Sequence, residues 1–419
     1  MQGLLAAGLL VVCAVASASE SQVPLRVAGS LFTEYQSNVT ASNDEPRSGM
    51  VYRSRLEASG QQQGEQYTWA LDGAFNYQEY QHQLLDGQFD AEAVGNFRWL
   101  LQPEMLDWNV DYVESVQVVD PAAPNIDSNS ETVRLLGTGP TARLRLGDLN
   151  ALVLSGRRQR IVSGDERYFR NTGSANLTRQ PRQRLQVFAR VDYSATEYSG
   201  NFPDYRTRQA VAGFSYRGMR SGLSLEAGKG WLKEQGFDPE QSDVGRFRAN
   251  WMVSADRQLV VTANQEFSDE ASDLESLANG TLVAGIEGTG AYRQRSAALT
   301  YSGSRAVLDP LVSVWGKQRR YLDRGVTRRD SDERGTRLVT RLYEADTGFV
   351  SCALSSTRRE FLDDGRVDRD SEATVTATRL LNTRTELTAG TGWLGRSSTQ
   401  EQAEYTNTSV WLALRVQLR

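Results

Sequence analysis

From about Leu25 to its last residue, the chain alternates apolar and polar side chains with a period of two, in bursts of roughly ten residues. Successive side chains of a strand point to opposite faces, so each burst reads as a two-faced strand. The last burst is the plainest: Val410, Leu412, Leu414, Val416 and Leu418 share one face, while Ala413, Arg415, Gln417 and Arg419 share the other. Tyr67, Trp69, Leu71, Phe75 and Tyr77 likewise oppose Thr68, Asp72 and Asn76, and Leu185, Val187, Ala189, Val191 and Tyr193 oppose Gln186, Arg190 and Asp192. One such strand fits any half-buried sheet. Repeated along nearly the whole chain, the pattern predicts an all-β transmembrane barrel, antiparallel and up-and-down, because a soluble chain of this length normally adds helices or fully buried strands.

The bursts number about 18–20, with a range of 16–20. Short turns such as Gln102 to Met105, Gly147 to Asn150 and Leu381 to Thr383 alternate with longer acidic loops such as Ser37 to Ser48, Asp120 to Ser130 and Ser268 to Gly290. Tight hairpins on one rim and long loops on the other are the asymmetry of outer-membrane barrels, and an even strand count puts both termini in the periplasm. A secreted β-propeller is the soluble competitor, but no blade signature recurs. Tyr67, Tyr77, Trp99, Trp108, Tyr112, Tyr193, Trp231, Trp251, Trp315 and Trp393 are expected on the apolar face, where interfacial girdles belong.

With 39% hydrophobic residues, no stretch after the N-terminus approaches the roughly 20 apolar residues of a spanning helix. The run Gly3 to Ala16, followed by the small-residue site Ala16-Ser17-Ala18, predicts a signal peptide over 1–18, leaving the barrel over 19–419. Cys13 follows Val12, which is not the Gly or Ala of a lipobox, so lipidation is the lesser alternative. Cys352 then remains alone, in step with Val350 and Leu354 on the lipid face, and makes no internal disulfide. A net charge of -5 excludes a strongly basic nucleic-acid binder.

No enzymatic constellation emerges. His82 is the only histidine, it lies in a loop, and no Gly-x-Ser-x-Gly motif accompanies it. Acidic loop pairs such as Asp363-Asp364 lack calcium-hand spacing, so neither a metal nor a cofactor is expected. The specific signal is arginine on the polar face: Arg53, Arg55, Arg98, Arg143, Arg145, Arg190, Arg206, Arg208, Arg246, Arg248, Arg337 and Arg341 are expected to project into the lumen. A guanidinium wall favours anionic or polyhydroxylated solutes. The competing reading is mutual neutralisation, since Glu57, Asp72, Asp111, Asp192, Glu226 and Glu386 share that face.

Phe97-Arg98-Trp99-Leu100-Leu101-Gln102-Pro103, then Leu106-Asp107-Trp108, the Pro/Asn-rich loop Pro121 to Asn125, and Gly139-Pro140 through Leu146-Gly147 resemble the EpsL-like, PEP-CTERM-system-associated outer-membrane barrels of exopolysaccharide loci. The resemblance covers about residues 65 to 160 and carries no catalytic residues. It implies a part in exopolysaccharide biosynthesis or export, with outer-membrane lipid, an anionic polysaccharide and other export components as partners. The chain closes on Leu418-Arg419, where the usual assembly signal ends in an aromatic residue. The expectation is therefore a non-enzymatic outer-membrane barrel with an arginine-rich passage. Two alternatives stand beside it. A general diffusion porin requires a long loop folded inside, for which Ser268 to Gly290 is the candidate, and a barrel enzyme requires acidic or serine residues gathered around His82.

Overall fold

The structure, a computed structural model, describes residues 25–81, 84–118, 123, 129–164, 166–200, 203–278, 290–304, 309–321, 330–345 and 347–418. The expected signal peptide, 1–18, and His82 lie outside these residues. Twenty strands run in chain order: β1 (Arg26–Gln36), β2 (Gly49–Gln63), β3 (Tyr67–Tyr80), β4 (Gln88–Gln102), β5 (Leu106–Val118), β6 (Ser130–Arg145) and β7 (Asn150–Ser163). There follow β8 (Glu166–Arg182), β9 (Leu185–Tyr198), β10 (Tyr205–Arg217), β11 (Ser221–Glu234), β12 (Glu240–Ser254), β13 (Arg257–Asp269) and β14 (Ala291–Gly303). The rest are β15 (Leu311–Tyr321), β16 (Ser331–Ala345), β17 (Gly348–Phe361), β18 (Val367–Asn382), β19 (Thr385–Ser398) and β20 (Tyr405–Gln417). Among the described residues one α-helix, α1 (Glu270–Ala278), leaves β13 on the long-loop rim.

Each strand pairs antiparallel with the next, and β1 pairs with β20 from Ala28↔Gln417 to Gln36↔Ser409. That last ladder closes the sheet and removes its edges, which is what lets strands cross hydrocarbon. β1 begins and β20 ends on the same, short-turn rim. Gly147, at φ 84°, makes one of the turns there, and a side chain would be strained in that conformation. The described register irregularities, such as Leu100/Gln102 and Leu380/Asn382, also sit on this rim, where a bulge tightens the hairpin.

Alternation sorts the two faces. Leu31, Leu56, Tyr77, Trp99, Val191 and Leu412 project outward and are exposed to the surroundings of the barrel. Cys352 shares the outward face, opposite Val375. Trp315 departs from the expected girdle. Its neighbours along β15, Val314 and Gly316, point outward, so its ring turns inward over Gly335 and its Nε1 donates to Glu333 at 3.2 Å.

The tightest apolar packing lies inside the barrel. Val113, Val133, Leu135, Ile161 and Tyr168 of β5–β8 bury against Ala271 and Leu274 of α1. Burying one leucine contributes about 1.5–3 kcal/mol, so this patch is a strong reason for the helix to stay docked.

Because the lipid face of β20 is apolar and the lumen face of β3 is polar, the two faces differ in their tolerance of charge. Leu412→Arg is expected to destabilise the barrel by about 2–4 kcal/mol in bilayers, whereas Ala70→Arg in the lumen costs much less. Denaturant unfolding in lipid vesicles measures both.

Candidate functional site

The site is the lumen narrowed by α1. The segment Asp269-Glu270-Ala271-Ser272 starts a helix because Asp269 caps it: its Oδ1 accepts from the Ser272 amide at 2.8 Å and from the Ser272 hydroxyl at 2.6 Å. Ala271 and Leu274, three residues apart, form the apolar stripe that meets the inner wall. The helix reaches from β13 towards β4 and β5, lying across the lumen rather than along its wall.

Polar contacts fix it on both sides. Tyr168 of β8 donates to Glu270 at 2.6 Å, and the Ser163 hydroxyl of β7 lies 3.0 Å from Glu270 and 2.9 Å from Glu131. Arg170 of β8 donates to Glu275 at 3.0 Å and to the Ser272 hydroxyl at 2.9 Å. Gln159 donates to the other Glu275 oxygen. Tyr205 donates to the capping Asp269 at 2.8 Å. On the opposite side Tyr292 of β14 donates to Asp273 at 2.6 Å, with Arg319 of β15 at 3.6 Å. These polar groups, buried together, orient the helix as the apolar stripe alone would not.

Burial pushes the Glu270 carboxyl up to about 7, against the lowering hydrogen bonds of Tyr168, Ser163 and Gln117 and with the carboxylate of Glu131 adding to the rise. The geometry agrees: one Ser163 hydrogen faces two carboxylates, and a proton on Glu270 completes the chain. Burial also raises Asp273, against the opposing charge of Arg319.

Ten of the twelve predicted arginines do face the lumen: Arg53, Arg55, Arg98, Arg143, Arg145, Arg190, Arg246, Arg248, Arg337 and Arg341. Arg206 and Arg208 do not. In β10 they share a face with Phe214 and Tyr216, lie opposite Lys233 and Trp231, and point outward, with Arg208 5.8 Å from the Tyr193 ring. Tyr205 takes the inward place between them and the loop. The error has a physical source: at the long-loop end, outward positions leave the hydrocarbon, so an arginine no longer marks the lumen.

Seven of the ten are ion-paired. Arg53 meets Glu34 at 2.9 Å, Arg55 meets Glu57 at 2.8 Å, and Arg145 meets Glu104 at 2.7 Å. The buried Asp107 holds Arg98 at 2.6 Å and also binds Arg143. Glu226 bridges Arg190 at 2.9 Å and Arg246 at 3.0 Å, and Arg246 continues to Glu266. These ladders neutralise one another across strands. Arg341 packs over the Phe349 ring at 4.8 Å. Arg248 and Arg337 are exposed in the lumen and have no ion pair with a described residue. Phe32 and Trp411 add an aromatic surface on the inner wall, their centroids 6.3 Å apart.

The helix contacts Tyr168, Arg170, Tyr292 and Arg319 were not foreseen, although Asp269-x-x-Ser272 with Ala271 and Leu274 is a legible cap and stripe.

No family model matches the sequence, and no curated protein matches it. Among solved structures, the chain resembles the ferric enterobactin receptor PfeA in complex with BCV-L6, at 9% identity, TM-score 0.50, covering 94% of this chain and 81% of that one. The siderophore receptor PirA from Pseudomonas aeruginosa matches at 10% identity and TM-score 0.48, covering 94% and 80%. OccK1 (OpdK) from the same organism matches at 9% and 0.43, covering 94% and 99%. At such identities the likeness concerns the fold alone. The protein is a closed 20-stranded antiparallel β-barrel, the fold that these outer-membrane proteins share.

The raised Glu270 carboxyl gives docking a pH dependence of known sign. The docked state binds a proton that the released helix gives up above the ordinary value of 4.5, so docking weakens as pH rises from there through about 7. Glu270→Gln is expected to reduce that dependence, leaving the share that the raised Asp273 carboxyl contributes with the same sign. Fluorescence of a dye attached near α1, titrated from pH 4 to 9, reads it.

Proposed function

We propose that the protein is a non-enzymatic, porin-like channel of the outer membrane, constricted from within by α1. The observation that carries this reading is the docking of α1 across the lumen, the inward-folded loop that a diffusion porin requires and that falls within Ser268 to Gly290. Barrels of 16–18 strands already leave an aqueous channel, so twenty strands leave room beside a helix. The long-loop rim faces the exterior and both termini face the periplasm, in keeping with the loop asymmetry of such barrels.

The passage suits polar solutes. Most lumen arginines are matched by carboxylates, which argues against a bulk anion pore and narrows solute-contacting cations to Arg248 and Arg337. The exopolysaccharide reading is retained as the second: Phe32, Trp411 and the inward Trp315 offer flat aromatic faces on which sugar rings stack.

Two measurements test this. Replacing 270–278 by a Gly/Ser segment of equal length is expected to raise single-channel conductance in planar bilayers severalfold, and unchanged conductance would show that α1 constricts nothing. Asp44→Cys, made in a Cys352→Ser background, is expected to react with a membrane-impermeant maleimide on intact cells; reaction only after permeabilisation would reverse the orientation.

A further inference from the structure

The outward surface carries a feature that a channel does not need. One cross-strand row of directly opposed residues runs Leu225, Phe247, Ala263, Ala297, Gly316, Arg334, Arg358 and Arg369, from β11 to β18. All share the face of Val314 and Leu354, which is the lipid face. The small residues in its middle leave a groove of about 830 Å³ that reaches from Leu225 and Phe247 to Arg334 and Arg358, where Asp332 and Glu360 also line it; Arg369 stands just beyond, directly opposite Arg358. A Cβ added at Gly316 would meet nothing closer than the Glu333 carbonyl at 3.9 Å, so the floor is open.

The cationic end is unbalanced. Arg334, Arg358 and Arg369 stand side by side on three neighbouring strands, and like charges directly opposite one another are destabilising. Among the described residues Arg358 has only Glu360, at 3.7 Å, and neither Arg334 nor Arg369 has an ion pair. The adjacent Asp332 is held by Arg320 at 2.5 Å. Arg295 overhangs the groove from the next row, opposite Gln265 and Gln318. The row lies two outward residues above Leu338 and Leu354, at the upper margin of the apolar belt.

We propose that this groove seats a phosphorylated glycolipid of the outer leaflet, with its phosphate on Arg334, Arg358 and Arg369 and its acyl chains against Ala263, Phe247 and Leu225. The site is amphipathic in one line, and so is its ligand. Guanidinium forks suit phosphate oxygens, and the phosphate supplies the counter-charge that the three arginines lack. A second copy of this chain is the less fitting occupant, since a two-fold about the membrane normal would run the row antiparallel to itself and set the arginines against Leu225 and Phe247, with no counter-charge. The proposal rests on the orientation given above, which brings the long-loop ends to the leaflet that carries such lipids.

Native mass spectrometry of the full chain in non-ionic detergent tests it, with bisphosphorylated lipid A, the same lipid dephosphorylated, and inorganic phosphate as probes. The bisphosphorylated lipid is expected to bind at least about tenfold more tightly than the dephosphorylated one, because it alone makes charge-assisted contacts to the guanidinium groups. R334Q/R358Q/R369Q is expected to lose that preference, and Gly316→Leu to lose the lipid by filling the floor, both with heat-modifiable migration and conductance intact. Equal binding by the triple variant, inorganic phosphate displacing the lipid outright, or an oligomer that excludes lipid from the groove would each overturn the proposal. Failure of the Asp44 labelling would overturn the orientation, and with it the outer-leaflet source of the lipid, while binding in detergent, which does not depend on orientation, would still show whether the groove takes a phosphorylated lipid.

Discussion

The ladder between β1 and β20 is the interaction on which the rest depends. In hydrocarbon an unpaired backbone N–H or C=O costs several kcal/mol, so a sheet can cross a membrane only when its first and last strands meet. Nine residue pairs, from Ala28↔Gln417 to Gln36↔Ser409, make that closure. Once closed, a sheet has an inside and an outside, and the period-two alternation becomes a sorting of lipid from lumen. This is how a chain with a mean hydropathy of -0.50 resides in a bilayer: only alternate residues meet it.

Closure at twenty strands creates the next problem, a lumen too wide for wall side chains to fill. The protein meets it in two ways. Along the wall, arginine and carboxylate ladders such as Arg190–Glu226–Arg246–Glu266 cross from strand to strand and balance charge locally. Across the upper lumen, α1 supplies mass that the wall cannot, held by a small dry core and a ring of buried polar bonds. The helix is thus attached by groups that include a titratable carboxyl, so its docking belongs to the part of the structure that solution conditions can move.

Most of the fold was legible in the sequence because alternation and turn length are local signals. β20 and β9 read correctly residue by residue, and the turn lengths sorted the rims. Two kinds of information were not local. The strands run from 11 residues in β1 to 17 in β8, and all but β1 and β15 exceed the 9–11 that span the bilayer, so polarity near the long-loop ends stops reporting the face. Arg206 and Arg208 were misassigned there, and Arg334, Arg358 and Arg369 went unnoticed. Trp315 is a different case: alternation with Val312 and Val314 along β15 already sets it on the inward face, and its aromatic character outweighed that local signal. The helix lay between these cases. Its cap and stripe were readable, but nothing local indicates that Leu274 meets Val133 and Ile161, which come from strands far along the chain.

The central claim is that α1 occupies the lumen in the native barrel. Thiol accessibility at its most buried position tests this most directly. With Leu274→Cys in a Cys352→Ser background, the folded protein should react with a small impermeant maleimide orders of magnitude more slowly than the unfolded chain, while a cysteine at exposed Asp44 reacts at once. Reaction at position 274 as fast as at 44, in a barrel that still migrates as folded, would place the helix outside the lumen and contradict the account.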